Sequence, residues 1–141
     1  MKFLYKLKSI YWLLPVCMVS FLLTGCSVEE YDKTKENDID FTVVSEEEMP
    51  EQVSEIIEAS KTENFRKTYS DKDYLYIIIG YGAQPTSSYS IEIQELYESS
   101  NAVYVTSMLK GPSHAEKVLE VITYPYIVAK IQYTDKAVVF Q

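Results

Sequence analysis

Few residues of this chain can carry thiol, imidazole or metal chemistry, since only 2 Cys and 1 His occur among 141 residues. Glycine (4) and proline (5) are also scarce, which argues against a flexible, low-complexity chain. An excess of basic residues is lacking too, because 21 acidic residues outnumber 13 basic ones. From these shortages we expect no cofactor, no metal and no nucleic-acid partner.

The first 25 residues have the pattern of a secretory signal peptide. Lys2, Lys6 and Lys8 precede an uncharged, mostly apolar run over residues 10–24. This run is short for a membrane span, which needs about 20 apolar residues. An uncleaved transmembrane anchor is the alternative interpretation.

The apolar run ends in Leu-Thr-Gly-Cys at residues 23–26, which resembles the lipobox of bacterial lipoproteins. In that pattern, small residues precede a Cys whose thiol accepts diacylglycerol. The sequence therefore predicts a lipoprotein signal peptide over residues 1–25 and lipidation of Cys26. Two or three acyl chains anchor a protein stably, so we expect a cell-membrane location on the extracytoplasmic face.

Acidic charge is concentrated behind this cysteine. Residues 27–63 hold 13 acids and 3 lysines, whereas residues 64–141 hold 8 acids and 7 bases. The stretch up to residue 40 is polar and has no apolar period. We therefore predict a lipidated Cys and disordered acidic tether over residues 26–40, followed by one folded domain over residues 41–141.

The domain pattern starts with a helix and continues with strands. Ser45 and Glu48 have capping-box spacing, and Val53, Ile56, Ile57 and Phe65 follow at helical spacing. A short β-like run over residues 41–44 precedes the helix. Further strands are predicted over residues 74–79, 89–96, 102–109, 126–131 and 138–140, with a bulge near residues 95–96. The expected fold class is α+β, a small antiparallel β-sheet domain of about five or six strands with one N-terminal helix packed on it.

Catalytic patterns are weak in this sequence. Ser87, Ser88, His114 and Asp135 are residue types of a nucleophilic triad, but no G-x-S-x-G pattern surrounds either serine. No spacing supports a carboxylate pair or a metal site. We therefore predict that the chain is not an enzyme.

Two segments resemble a known family. Residues 80–93 (GYGAQPTSSYSIEI) are similar to the "G…P-T-G-G-Y-x-I-x-I" signature of the protease complex subunit PrcB family, in its C-terminal domain. Residues 123–131 (TYPYIVAKI) are similar to the family's closing "T-Y-P-Y" strand. The resemblance covers roughly residues 72–133. Ser87 and Ser88 stand where the family has two glycines, so a turn that needs positive φ there would be strained.

The resemblance implies a small β-rich interaction domain of an exported protein, without catalytic residues to carry over. The family is named for a subunit of a bacterial surface protease complex. The predicted function is therefore a membrane-anchored surface lipoprotein that acts as a protein-interaction module and stabilises or positions an exported protease. An envelope sensor or small-ligand-binding lipoprotein is the alternative, and a closed apolar pocket between helix and sheet would favour it.

Tyrosine is abundant, with 13 residues, and it suits both strands and interfaces. If these tyrosines only build turns and core, their mutation lowers stability. If they bind a partner, the loop after residue 80 and residues 124–126 form one tyrosine-lined surface. The candidate partner-binding residues are Tyr81, Thr86, Ser87, Ser88, Tyr89, Tyr124, Pro125 and Tyr126.

Overall fold

The structure, a computed structural model, describes residues 30–141. The predicted signal peptide and Cys26 lie outside these residues. The strands are β1 (Asn37–Asp38), β2 (Thr42–Val43), β3 (Asn64–Ser70), β4 (Tyr74–Tyr81), β5 (Ser90–Glu98), β6 (Ala102–Lys110), β7 (Tyr126–Gln132) and β8 (Ala137–Phe140). A 3₁₀ turn at Glu46–Glu48 and helix α1 (Glu51–Ser60) lie between β2 and β3. No helix in the described part of the chain has the length and apolar character needed to cross a membrane.

The strands form two sheets of four. Sheet A has the order β1-β5-β6-β8, and sheet B has the order β2-β7-β4-β3. Strand β4 is central in sheet B because its run of β-branched and aromatic residues is buried on both faces. The β5–β6 hairpin shifts register between Ile93 and Glu95, so the bulge predicted near this point is confirmed.

The two sheets pack face to face around the main hydrophobic core. Sheet B contributes alternate residues of β4 and β7 to it, and sheet A contributes residues from β5 and β6. Alternation along each strand directs these side chains to one face. The buried members are Leu75, Ile77, Ile79, Ala129 and Ile131 from sheet B, and Leu96, Val103 and Val105 from sheet A.

Helix α1 covers the other face of sheet B. Val53 and Ile57 are buried against Phe65, Ile78 and Val128. Residues 30–141 therefore form three layers, in the order sheet A, sheet B and helix. The predicted packing of one helix on a sheet is confirmed by these contacts.

The helix begins later than its sequence pattern suggests. Ser45 makes no side-chain capping bond, and α1 starts after Pro50, whose carbonyl accepts hydrogen bonds from the N–H groups of Val53 and Ser54. The capping-box prediction is therefore wrong. Phe65 is not a helical residue either, because it lies in β3, where its ring joins the same core as Val53 from the opposite side.

The fold class is confirmed only at the level of a small, mostly β, α+β domain. Eight strands in two sheets replace the predicted single sheet of five or six, within residues 30–141. β1 and β2 precede the helix, so α1 is not N-terminal to all strands. β8 pairs with β6 in parallel, where an antiparallel neighbour was expected.

The segment predicted as a disordered tether is partly built into sheet A. β1 pairs antiparallel with β5, and the N–H groups of Glu36 and Ile39 donate to the carbonyls of Glu98 (2.9 Å) and Leu96 (3.0 Å). Ile39 also packs against the core between the sheets. β1 could not be predicted from the sequence, because Ile39 alone in a polar run gives no alternating apolar pattern. Backbone pairing between strands does not require such a pattern.

Candidate functional site

Two loops are joined side by side at one end of the sheets. They are the β4–β5 loop (residues 82–89) and the β6–β7 connection (residues 111–125), and together we call them the two-loop surface. Gln84 and Thr123 exchange both backbone hydrogen bonds, at 2.8 and 3.0 Å. The Thr123 hydroxyl also donates to the carbonyl of Thr86 at 2.7 Å. These bonds hold the two halves of the predicted site together.

Ser87 fastens the β6–β7 connection at a second point. Its N–H donates to the carbonyl of Leu119 (3.0 Å), and its Oγ accepts a hydrogen bond from the N–H of Leu119 (2.9 Å). The side chain thus takes the place of a backbone carbonyl. A glycine here, as in the family signature, would lack this second bond.

Ser88 has a left-handed backbone conformation, with φ of 67°. It is the only non-glycine residue with positive φ in the described part of the chain. The conformation strains an L-residue because its Cβ crowds the following carbonyl oxygen. The turn therefore needs positive φ at the second of the family's two glycine positions and not at the first.

The two-loop surface exposes large apolar side chains. The exposed fractions are 67% for Leu119, 65% for Ile122, 50% for Val121 and 37% for Tyr124. A cation lies beside them, since the Lys61 Nζ is 5.8 Å from the centre of the Tyr124 ring. Clustered exposed apolar residues are typical of surfaces that bind another molecule.

Tyr81 and Tyr126 do not share a surface. Tyr81 packs against the core between the sheets, and its hydroxyl is 3.0 Å from both the carbonyl and the Oγ of Ser107. Tyr126 packs on the helix side of sheet B. The idea of one continuous tyrosine-lined surface is therefore wrong for this pair. Tyr126 pairs with Gly80, and Tyr81, the next residue along β4, faces the opposite side of the sheet.

The Tyr126 side chain joins β7 to the 3₁₀ turn. Its hydroxyl donates to Oε1 of Glu46 at 2.8 Å. Partial burial, together with the bond to the Glu46 carboxylate, raises the pKa of Tyr126 to about 12. Both causes disfavour the phenolate. This tyrosine holds the start of β7 in place, directly after the β6–β7 connection.

The remaining predicted site residues lie at the junctions of the loops. Tyr89 is half-buried, and a Cβ placed on Gly111 would lie 3.3 Å from Cε1 of its ring, so the ring rests on this glycine. The carbonyl of Pro125 accepts a hydrogen bond from the N–H of Tyr81 at 3.2 Å. Both residues therefore connect the two-loop surface to the sheets.

Sequence reasoning missed the most exposed apolar residues of this surface. The sequence pattern predicts a less regular connection over residues 113–121, with room for one helical turn, and gives Leu119, Val121 and Ile122 no role in binding. A signal was available, because four apolar residues between positions 118 and 122 lie between two proline-containing turns. Such a run without a strand partner is a candidate binding segment.

The space between α1 and sheet B is filled by core side chains. Beside it lies an open cleft between the helix and Tyr126, which Glu46, Ser54 and Glu58 help to line. Within residues 30–141 no three His, Cys, Asp or Glu side chains are grouped as metal ligands would be. The two-loop surface is thus the candidate site, and its chemistry is that of apolar contact.

The fold and this surface define a small, mostly β, α+β domain that presents two joined loops. Residues 75–132 match the model of the family described as PrcB C-terminal. The match is less than half of the chain, but it runs from β4 to the end of β7 and includes both loops. The match supports the resemblance to the PrcB C-terminal family that the two sequence signatures indicated. Comparison with curated proteins and with solved structures gave no match.

Proposed function

We propose that this chain is a membrane-anchored lipoprotein whose domain binds another exported protein through the two-loop surface. A protease is the partner class that the family name suggests, and the role is to stabilise or position it. The observation that carries the proposal is the exposure of Leu119, Val121 and Ile122 on a segment fastened at Ser87 and Thr123. A protein surface that is apolar and held in shape is suited to a protein partner.

The hydrogen bonds of Asp32 indicate which end of the domain would lie near the membrane anchor. The N–H of Asp32 donates to Oδ1 of Asn101 (3.0 Å), and the Ser100 hydroxyl donates to its carboxylate (3.2 Å). Asp32 is six Cα–Cα steps from Cys26, and an extended chain spans at most about 3.5 Å per step. A lipid on Cys26 would therefore keep the β5–β6 turn within about 20 Å of the membrane.

The two-loop surface lies at the other end of the same hairpin. β5 and β6 each contain 9 residues, which corresponds to a length of about 30 Å. The surface would consequently lie at the end of the hairpin farther from the anchoring point. That position suits contact with other proteins on the extracytoplasmic side.

Partner binding can be tested by capture from detergent-solubilised membranes with a tagged full-length chain. We expect an exported protease among the captured proteins, and its loss when Leu119→Ser and Ile122→Ser are combined. Tyr133→Ser is the matched control, since Tyr133 is 52% exposed but follows the opposite end of β7. Equal capture by the double variant and the wild type would contradict the proposal.

Anchoring needs its own test. Cys26→Ala should abolish the lipid-modified mass and release the protein from the detergent phase, because the thiol is the acylation point. The domain should keep its melting temperature, because the predicted role of Cys26 is acylation alone. A lipid-modified mass in the variant would show that the anchor lies elsewhere.

A further inference from the structure

The four outer edges of the two sheets differ in length. Three are formed by short strands, namely β1 and β2 with 2 residues each and β8 with 4. The fourth is β3, which has 7 residues and pairs with β4 along its whole length without a register shift. Short edge strands protect a sheet against pairing with other chains. β3 lacks this protection.

The direction of the β3 backbone groups follows from two hydrogen bonds. Asp71 N–H donates to the carbonyl of Tyr74 (3.0 Å), and the N–H of Tyr81 points toward β7, where it meets Pro125 (3.2 Å). In an antiparallel pair, every second residue of a strand exchanges both backbone hydrogen bonds with the residue opposite it. Phe65, Lys67 and Tyr69 therefore bond to β4. The residues with N–H and C=O groups directed to the open edge are Asn64, Arg66, Thr68 and Ser70.

Nothing in the described part of the chain occupies this edge. The backbone groups of Arg66, Thr68 and Ser70 have no hydrogen-bond partner among residues 30–141. Lys67, Thr68 and Ser70 are exposed. Helix α1 covers the face of sheet B and leaves its β3 edge free.

The charge of β3 indicates which kind of segment could pair with its open edge. Residues 64–70 include Arg66 and Lys67 and no acid, although the whole chain carries −8. The two cations lie on opposite faces of the strand. Arg66 stacks on the Tyr81 ring at 5.0 Å, and the Lys67 Nζ donates to Oγ of Ser60 at 2.9 Å. A neighbouring strand would meet one positive charge on each face.

We propose that the β3 edge binds an extended, acidic segment of a partner protein, which adds as a fifth strand to sheet B. Backbone hydrogen bonds to Arg66 and Thr68 would supply affinity, and cross-strand carboxylates would pair with Arg66 and Lys67. A second copy of this chain fits less well, because two β3 strands would bring four positive charges together. This site is separate from the two-loop surface and does not depend on the function proposed for it.

A labelled peptide in which Val and Thr alternate around two Glu residues tests the proposal by fluorescence anisotropy with the full-length chain in mild detergent. We expect saturable binding that weakens in high salt. Methylating alternate amides of the peptide should weaken binding roughly tenfold, because one or two edge hydrogen bonds are lost. Equal binding of the methylated peptide, or of a peptide with Lys for Glu, would overturn the proposal.

Two protein variants locate the site. Thr68→Pro removes an outward N–H, whereas the control Thr68→Val keeps it, so only the proline variant should lose binding. Combining Arg66→Glu with Lys67→Glu should also abolish binding and does not depend on a proline being tolerated. The Leu119→Ser and Ile122→Ser double variant should bind the peptide normally. If it loses binding, the peptide occupies the two-loop surface and the β3 proposal is wrong.

Hydrogen exchange gives an independent readout in the wild-type chain. The amides of Arg66 and Thr68 should exchange rapidly, and those of Lys67 and Tyr69 slowly. Adding the acidic peptide should slow the first pair. Slow exchange at Arg66 and Thr68 without peptide, together with a dimer in sedimentation, would show that a second copy occupies the edge instead.

Discussion

Two eight-residue stretches of this chain are both rich in apolar residues, but one is buried and the other is exposed. Residues 74–81 (YLYIIIGY) form β4, in which Ile77, Ile78 and Ile79 are 0% exposed. Residues 117–124 (KVLEVITY) contain Leu119 and Ile122, which are 67% and 65% exposed. Apolar content alone therefore does not decide burial.

The difference lies in what each stretch can pair with. β4 has a strand on each side, β3 and β7, and its backbone groups are satisfied along both edges. The β6–β7 connection is held at two points by Ser87 and Gln84, and prolines flank it at positions 112 and 125. With backbone bonds to the β4–β5 loop at only two points, this stretch forms no strand of either sheet, and Leu119 and Ile122 stay exposed.

The largest expected effect is the difference in stability loss when the same Ile→Ala substitution is made in each stretch. Ile77→Ala should lower the free energy of unfolding by about 2–5 kcal/mol, because it leaves a cavity between the sheets. Ile122→Ala should change it by less than about 0.5 kcal/mol, because that side chain is exposed. Urea denaturation of both variants measures the contrast. Similar losses would mean that the connection contributes to the core after all.

A second substitution tests how tightly β4 is packed. A Cβ on Gly80 would overlap the ring of Phe65, which faces it across the β3–β4 pair. Gly80→Ala should therefore cost about 1–3 kcal/mol through overpacking. Adding Phe65→Leu should recover part of this loss, as measured by thermal melting. Additive losses in the double variant would argue against the contact.

Substitutions at Ser87 and Ser88, where the β4–β5 loop meets the β6–β7 connection, should change stability in opposite directions. Ser88→Gly should raise stability by about 0.5–1 kcal/mol, because glycine accepts φ of 67° without a Cβ clash. Ser87→Gly should lower it by about 1 kcal/mol, because the Oγ bond to Leu119 is lost. Opposite shifts in melting temperature are expected. Shifts of the same sign would contradict this assignment.

The smallest effect concerns Tyr126, at the border between the connection and β7. Its pKa is raised to about 12 from an ordinary value of 10.0, so folding favours the protonated phenol. The stabilisation is complete below pH 10 and is lost as pH rises through 12. Tyr126→Phe should flatten this part of the stability curve, as chemical denaturation at several pH values would show. If the stability of the variant depended on pH as that of the wild type does, a group other than Tyr126 would be responsible for this pH dependence.

Strands with dense apolar runs could be predicted from the sequence. β4, β6 and β7 start at the predicted residues and extend one or two residues beyond the predicted ends. β3 was missed because its residues (NFRKTYS) contain few apolar side chains and Phe65 matched a helical spacing. The division into two sheets depends on pairings between distant segments, such as β1 with β5, which local patterns do not encode.

The candidate site was predictable in its segments and not in its geometry. The two sequence signatures located both loops, and Thr86 and Ser87 do contact the β6–β7 connection. The separation of Tyr81 from Tyr126 follows from strand register, which the sequence does not show. The role of Leu119 depends on the absence of a strand beside it, and only the assembled fold reveals that.

The parallel pairing of β8 with β6 also has a consequence for how the chain folds. Sheet A takes its edge strands from residues 37–38 and 137–140, on either side of a hairpin at residues 90–110. The hairpins β3–β4 and β5–β6 need only local contacts, whereas these edge strands require distant ones, which form late. Sheet A therefore lacks one of its two outer strands, β8, until the chain has been made as far as residues 137–140. While the chain folds, the β5–β6 hairpin would be the part of this sheet that needs protection from aggregation.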